Sequence, residues 1–296
     1  MAKLIDGKAI AKALRASVTE QATRLSEAGV VPGLAVILVG DDPASEIYVR
    51  NKERAASKAG VNAQTIRYDA ETAEETLLAK IAELNADTSV DAILVQSPVP
   101  GHIDEHKIQE AISPAKDVDG FHPENIGRLY ANREGYYPIA NTPRGIMTML
   151  DHEGVTLAGK NVVIIGRSIL VGRPMFALAQ AADATVSLLH RYTPDNLRHE
   201  LLQQADVVIV ATGVAGLVTG SDLKAGATVI DVGINRMADG SLVGDVDFAS
   251  AEPVAGLITP VPGGVGPMTI ATLLQTTVEL AALHHGVTLE AGWQTI

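Results

Sequence analysis

Apolar positions along the chain change period in a way that divides it into elements. Ile10, Leu14, Val18 and Leu25 recur at helical spacing over 7–28. LAVILVG (34–40) is instead an unbroken aliphatic run ending in Gly40, followed by Asp41, Asp42 and Pro43, and reads as a buried strand. The pattern then predicts a helix over 45–59, a strand at 65–69, a helix over 73–85 and a third strand in DAILVQSPVP (91–100). Such β-α-β-α-β alternation implies a parallel sheet with right-handed crossovers. Residues 117–142, rich in Gly, Pro, Asn and Tyr, interrupt it and read as a linker and cleft wall. A helix over 143–154, opening on Pro and closing on Gly, leads into a second alternating unit. Its strands are NVVIIG (161–166), ATVSLLH (184–190), DVVIVATG (206–213) and ATVIDVG (227–233), with helices over 174–182 and 196–204. PVPGGVGPMT (260–269) reads as a loop and 270–285 as a last amphipathic helix, with His284 and His285 at its solvated end.

Composition sharpens this picture in three places. The chain is 47% hydrophobic but only 3% aromatic, so its core is aliphatic, as in a parallel sheet covered by helices, and its 296 residues suit two domains. A formal net charge of −12 lacks the basic footprint of a nucleic-acid partner, and any anion site must gather Arg and Lys locally. The absence of cysteine excludes disulfides, thiolate metal sites and a Cys nucleophile. The N-terminal MAKLIDGKAIAKAL has no signal-peptide core, and no window reaches the roughly 18 apolar residues of a membrane span. The expected location is the cytoplasm.

Candidate chemistry lies where strands end. After NVVIIG come Gly166, Arg167 and Ser168, then Val171, Gly172 and Pro174 at a helix start. A glycine-bearing strand-to-helix turn lets backbone N–H groups face a pyrophosphate, although the spacing departs from G-x-G-x-x-G, with Ser168 at the middle glycine. The second strand of the unit ends at His190–Arg191, where an acidic residue would hold NAD ribose; arginine suits a 2′-phosphate. Arg167 is a candidate second clamp, so the expected cofactor is NADP, with Thr212 and Gly213 on the next strand end completing the turn-side set. In the first half, Tyr48 and Lys52 share a helix face with Ser45 one turn earlier, Gln96 ends the third strand, and Asp117 and Asp119 precede Gly120. Each also has a bland reading: a solvated helix edge, a strand cap, an Asx turn. Y-x-x-x-K also marks short-chain dehydrogenases, but there it follows the nucleotide loop, and here it precedes it. His102-x-x-Glu105-His106 fits a zinc pattern but has no evident third ligand, and no metal is expected.

Together these residues resemble the bifunctional methylenetetrahydrofolate dehydrogenase/cyclohydrolase family over nearly the whole chain. The matching stretches are Pro43-Ala44-Ser45 with Tyr48-Val49 and Lys52, ILVQSPVP, KDVDGFHPENIGRL, TPRGI, GRSILVGRP, VIDVGIN and TPVPGGVGPMT. The resemblance implies an α/β fold of two domains with a cleft between them. One is an N-terminal folate-binding catalytic domain over 1–140, completed by a C-terminal helix in 270–296; the other is a Rossmann-like NADP-binding domain over 141–269. It implies oxidation of 5,10-methylenetetrahydrofolate and hydrolysis of the methenyl product to 10-formyltetrahydrofolate. Lys52 would be central to the chemistry, Gln96 would assist it, Tyr48 would stack on or orient the folate, and Asp119 would bind the pterin. Gly233 and Ile234 would shape the nicotinamide side, and Pro262, Gly263 and Gly264 would meet the substrate. A homodimer is implied too, with the aliphatic strands at 206–213 and 227–233 as the apolar face a partner would cover. The sequence departs from the family at Pro138-Ile-Ala-Asn141-Thr142-Pro143, where a cysteine is common and the loop reads as longer, and at Ser97, where Leu is usual. The alternatives are a dehydrogenase that has lost the cyclohydrolase and a nucleotide-binding module without catalysis.

Overall fold

A computed structural model describes residues 1–294. The chain forms two compact units, one of Lys12–Arg128, Arg133–Asn141 and the segment from Ile270 on, the other of Met1–Ala11, Leu129–Asn132 and Thr142–Thr269.

The first unit is built on a parallel sheet of three strands, β2 (Gly33–Val39), β3 (Asn62–Tyr68) and β4 (Ala92–Val95), in the order β3-β2-β4. Every residue of β2 is buried, which is what its unbroken aliphatic run demands of a central strand. Helices α1 (Gly7–Glu27), α2 (Pro43–Lys58) and α3 (Glu74–Ala86) follow the sequence pattern. The α2 start is fixed by Asp42, whose side chain accepts from the Ser45 amide at 2.8 Å, with Pro43 in the first turn. Two helices stand where none was expected. The segment after the third strand holds α4 (Glu105–Ala111), capped by Asp104, and the supposed linker holds α5 (Pro123–Tyr130). Both are short, with a Pro or Asp start that sequence alone does not separate from a turn.

The second unit carries a six-stranded parallel sheet in the order β1-β11-β8-β7-β5-β6, formed by β1 (Lys3–Leu4), β5 (Asn161–Ile165), β6 (Thr185–Leu189), β7 (Val207–Val210), β8 (Thr228–Asp231) and β11 (Leu257–Ile258). The first residues of the chain thus pair with β11, through Lys3 opposite Leu257; two-residue strands carry no period to read. Helices α6 (Asn141–His152), α7 (Gly172–Ala181), α8 (Asp195–Gln204) and α9 (Phe248–Ala251), a 3-10 turn at Gly220–Asp222 and a β9 (Asn235–Arg236)/β10 (Leu242–Val243) hairpin complete it. β7 and β8 are buried throughout, so the apolar face expected there for a partner is already covered within the chain.

The last helix, α10 (Val265–His284), corrects two expectations. It starts inside the glycine-proline segment that read as loop, and it is not amphipathic, since 271–282 are all buried. Several of its polar residues have partners: Thr277 donates to the Leu273 carbonyl at 2.8 Å, Thr276 to Asn141 Oδ1 at 3.2 Å, and Glu279 accepts from the Tyr136 hydroxyl at 2.9 Å, whereas Thr272 Oγ1 and Gln275 Oε1 are buried without one among the described residues. Nor is its end merely solvated. His284 and His285 both reach the Asp91 carboxylate, at 3.1 and 3.3 Å, and Asp91 is 1% exposed. Among the described residues no helix is long and apolar enough to cross a membrane.

Candidate active site

Lys52 and Gln96 are 44 residues apart in sequence, and the fold joins them. β2 and β4 are hydrogen-bonded neighbours, so the helix leaving β2 and the carboxyl end of β4 lie on one edge of the sheet, where open α/β sheets bind ligands. Lys52 Nζ donates to Gln96 Oε1 at 2.9 Å, and Gln96 is itself held by its amide donating to the Ser97 carbonyl at 2.8 Å. Burial pushes the Lys52 ammonium below the usual lysine range, against the opposing pull of the Asp119 carboxylate. Burial likewise raises Asp119, to about 6, with Lys52 opposing and Asp117 adding to the rise. The two groups thus form an amine that gives up its proton more readily and a carboxyl that holds one more tightly. Tyr48 sits one turn from Lys52 and is 47% exposed, an aromatic surface free for stacking; Ser45 is buried.

Asn141 was not singled out from sequence. Its amide donates to Asp119 Oδ1 at 3.0 Å and to the Val118 carbonyl at 3.1 Å, fixing the carboxylate from the segment where the family's cysteine is missing. Asp117 is buried and structural: it accepts from the His122 amide at 2.8 Å and Asn125 Nδ2 at 3.0 Å. Gly120 has φ 68°, and a Cβ there would lie 2.7 Å from the Ile139 carbonyl carbon. Two of the zinc-like side chains have other partners: His102 meets the Thr72 carbonyl at 2.9 Å and Glu105 meets the Ser97 hydroxyl.

In the other unit the predicted cofactor residues also gather at strand ends. Gly166 follows β5, the strand flanked by β6 and β7 where the strand order reverses. It has φ 119°, and a Cβ would sit 2.1 Å from the Ala211 carbonyl; a Cβ on Gly172 would meet the Gly166 carbonyl at 1.9 Å. Ser168 Oγ accepts from the Val171 amide at 3.2 Å, and α7 begins without a side-chain cap; its Arg173 amide donates to the Ser168 carbonyl at 3.1 Å and Pro174 has no N–H, so the Gly172 amide is the first-turn donor open to an anion. Arg167 and Arg191 flank one ring, that of Tyr192, at 5.9 and 4.9 Å. This cradle and its paired cations fit a phosphorylated nucleotide.

Two buried carboxylates that sequence did not reveal set the remaining loops. Asp245 Oδ2 accepts from the amides of Thr212 and Gly213, at 2.5 and 2.9 Å, and from the Thr212 hydroxyl at 2.9 Å. Its Oδ1 accepts from Asn235 Nδ2 at 2.8 Å. Asp231 accepts at 2.9 Å from the amides of Gly233, Asp245 and Val246, and burial raises it to about 6. Gly233 is required because a Cβ would strike Asp245 Oδ1; Ile234 beside it is 47% exposed. Pro262 follows a cis bond from Val261, Gly263 has φ 114°, and the Gly264 carbonyl would meet any Cβ on Gly7.

The sequence matches the catalytic domain of tetrahydrofolate dehydrogenase/cyclohydrolase over residues 5–119, and the NAD(P)-binding domain of the same family over 140–285. The chain belongs to the tetrahydrofolate dehydrogenase/cyclohydrolase family. It is 58% identical to the bifunctional protein FolD of Lactiplantibacillus plantarum over 281 residues, 95% of this chain and 98% of that protein. Among solved structures, it is similar to the bifunctional FolD methylenetetrahydrofolate dehydrogenase/cyclohydrolase of Campylobacter jejuni (TM-score 0.94, 44% identity, 96% of this chain and 99% of that one). It is also similar to the Trypanosoma brucei enzyme complexed with NADP and an inhibitor (TM-score 0.91, 37% identity, 95% and 98% covered).

Proposed function

We propose that the protein oxidises 5,10-methylenetetrahydrofolate with NADP and hydrolyses the 5,10-methenyl product to 10-formyltetrahydrofolate, with Lys52 moving the protons of the second reaction. The observation that carries this reading is the Lys52–Gln96 bond, which holds a lysine with a lowered pKa beside Asp119. NADP, when bound, supplies the hydride acceptor. The folate nitrogens stabilise the cation left behind, so the chain's task in that step is orientation rather than acid–base chemistry. Hydrolysis adds water to the methenyl carbon, removes a proton from it, and protonates the ring nitrogen as the carbon–nitrogen bond opens. A lysine that exchanges its proton easily, fixed by Gln96, performs those transfers. Asp119 accepts from the pterin amino group and ring N–H, and Tyr48 stacks on the folate. Pro262, Gly263 and Gly264 bear on the substrate.

On the cofactor side, the turn of Gly166, Ser168, Val171 and Gly172 that opens α7 would hold the pyrophosphate. Arg167 and Arg191 hold the 2′-phosphate, and Thr212, Gly213, Gly233 and Ile234 shape the rest. Folate chemistry therefore belongs to the unit bearing β2 and β4, and NADP to the unit bearing β5. By likeness to the family the enzyme is a homodimer, which sedimentation across micromolar concentrations tests. A chain without cysteine suits the cytoplasm. The whole reading is tested by incubating the protein with NADP and methylenetetrahydrofolate and following both products; formation of neither overturns it.

A further inference from the structure

Asn141 engages every polar atom of its side chain. Its amide nitrogen has two N–H donors, one to the Val118 carbonyl at 3.1 Å and one to Asp119 Oδ1 at 3.0 Å. Its Oδ1 accepts from the Thr276 hydroxyl of α10 at 3.2 Å. Turning the amide over would set its oxygen against a carbonyl and a carboxylate, so the partners themselves fix which end is which. The side chain is 5% exposed, whereas Asp119 is half-buried. A hydroxyl or thiol at this position has a single donor and could not meet both acceptors.

The two donor bonds bracket Asp119, one on the backbone just before it and one at the end of its side chain. Together they fix the plane of the carboxylate and leave Oδ2 and a second lone pair of Oδ1 for other donors. A neutral donor also favours the charged carboxylate over the acid. Burial and Asp117 push Asp119 up, and Lys52 and the Asn141 amide oppose them. The other titrating groups around it are held elsewhere. Glu105 of α4, lining the same small cavity as Asp117 and Asp119, meets the Ser97 hydroxyl. Glu279, one turn along α10 from Thr276, accepts from the Tyr136 hydroxyl and the Gln275 amide, and His122 Nδ1 accepts from the Glu124 amide. We infer that Asn141 is a positioning residue of the folate site, fixing the Asp119 carboxylate in the orientation and the ionised form in which it accepts the pterin donors. The inference rests on the placement of the pterin at Asp119.

The test is direct titration of the full chain with 5-formyltetrahydrofolate between pH 5 and 8, comparing the unmodified protein with Asn141→Leu. Leucine keeps the shape of the side chain and removes both donors. Near pH 8 Asp119 is ionised in either protein, so the lost orientation alone should weaken binding about two- to tenfold. As pH falls, the variant should lose affinity earlier, its inflection moved up by about one pH unit. Both reactions should slow alike, chiefly through KM. Thr276→Val removes the donor that holds the Asn141 oxygen, and should move the inflection the same way by less; it gives the reading if Asn141→Leu does not fold. A merely structural asparagine would lower Tm and leave the pH profile in place, so an inflection unmoved in both variants overturns the inference. Asp119→Asn run in parallel separates the two readings. Undiminished binding there refutes the placement of the pterin, whereas weakened binding there with an unmoved inflection in Asn141→Leu and Thr276→Val refutes the role of Asn141 alone.

Discussion

The two sites of this chain are built from opposite materials. Around Lys52 the chemistry lies in side chains whose protonation is displaced by burial: an amine pushed down and a carboxyl raised to about 6. Around Gly166 it lies in the backbone, shaped by glycines that admit no Cβ and by carboxylates that tie loops by their amides. The comparison teaches that proton transfer and hydride transfer make different demands. One needs a titrating group in a defined place; the other needs a surface on which two molecules lie in register. Damage to the first site should therefore separate the two activities, and damage to the second should spare hydrolysis.

The strongest way to break this comparison is Lys52→Met, which keeps much of the side-chain length and removes the amine. Losing a positioned acid/base costs about 10²–10⁴-fold, so hydrolysis should nearly vanish while oxidation falls but remains measurable. The methenyl intermediate should accumulate and be visible spectroscopically. Hydrolysis at the unmodified rate would remove Lys52 from its assigned role. Equal loss of both activities would mean that the lysine chiefly orients the folate.

Next in size is Arg191→Ala. A charge-assisted contact to phosphate is worth about 1.5–3 kcal/mol, so kcat/KM with NADP should fall roughly ten- to a hundredfold and that with NAD much less. Hydrolysis of supplied methenyltetrahydrofolate should be unchanged. Equal kcat/KM for NADP and NAD in the unmodified enzyme would defeat the assignment of both arginines.

A smaller effect is expected of Asp245→Asn. The substitution places an amide where the carboxylate accepts from Thr212 and Gly213, weakening bonds to a buried acceptor. A cost of about 1–2 kcal/mol in stability is expected, read as a drop of a few degrees in Tm, with dehydrogenase more affected than cyclohydrolase. An unchanged Tm would show that the loop is held by something else.

These carboxylates also mark where the sequence ceases to be readable. Strands β2, β5, β7 and β8 are legible because burial on both faces leaves continuous aliphatic runs at their centres. Tyr48 and Lys52 are legible as neighbours because four residues make one turn. Asp231 and Asp245 lie 14 residues apart, and nothing local says that one carboxylate will take the other's amide. Asn141 reaches Asp119 across 22 residues for the same reason. α10 misled in the opposite sense: its threonines, Gln275 and Glu279 look like a wet face, and the partners that help bury Thr276 and Glu279, Asn141 and Tyr136, lie 135 and 143 residues away. The Asp91 carboxylate beneath His284 and His285 is a similar case, a contact across 193 residues that reads locally as a polar helix end.

The finest distinction between the sites lies in pH. Asp119 is raised from 3.8 to about 6, chiefly by burial, so the folded protein holds this proton more tightly than the unfolded chain. Its protonation favours folding below about pH 4, and that advantage is lost as pH rises through 6. Binding runs the other way, because an acceptor for two pterin donors must be the carboxylate. Folate affinity should therefore fall as pH drops through 6, by up to about tenfold per pH unit once the proton is on, alike in both reactions. NADP affinity, which the proposal assigns to guanidinium groups, should not follow it over this range. Asp119→Asn should weaken folate at every pH and abolish the inflection. Direct titration of a folate ligand between pH 5 and 8 reads this without turnover, so the lowered pKa of Lys52 cannot masquerade as a change in rate. An inflection that persists in Asp119→Asn would assign the proton to another group and leave Asp119 without its role in binding the pterin.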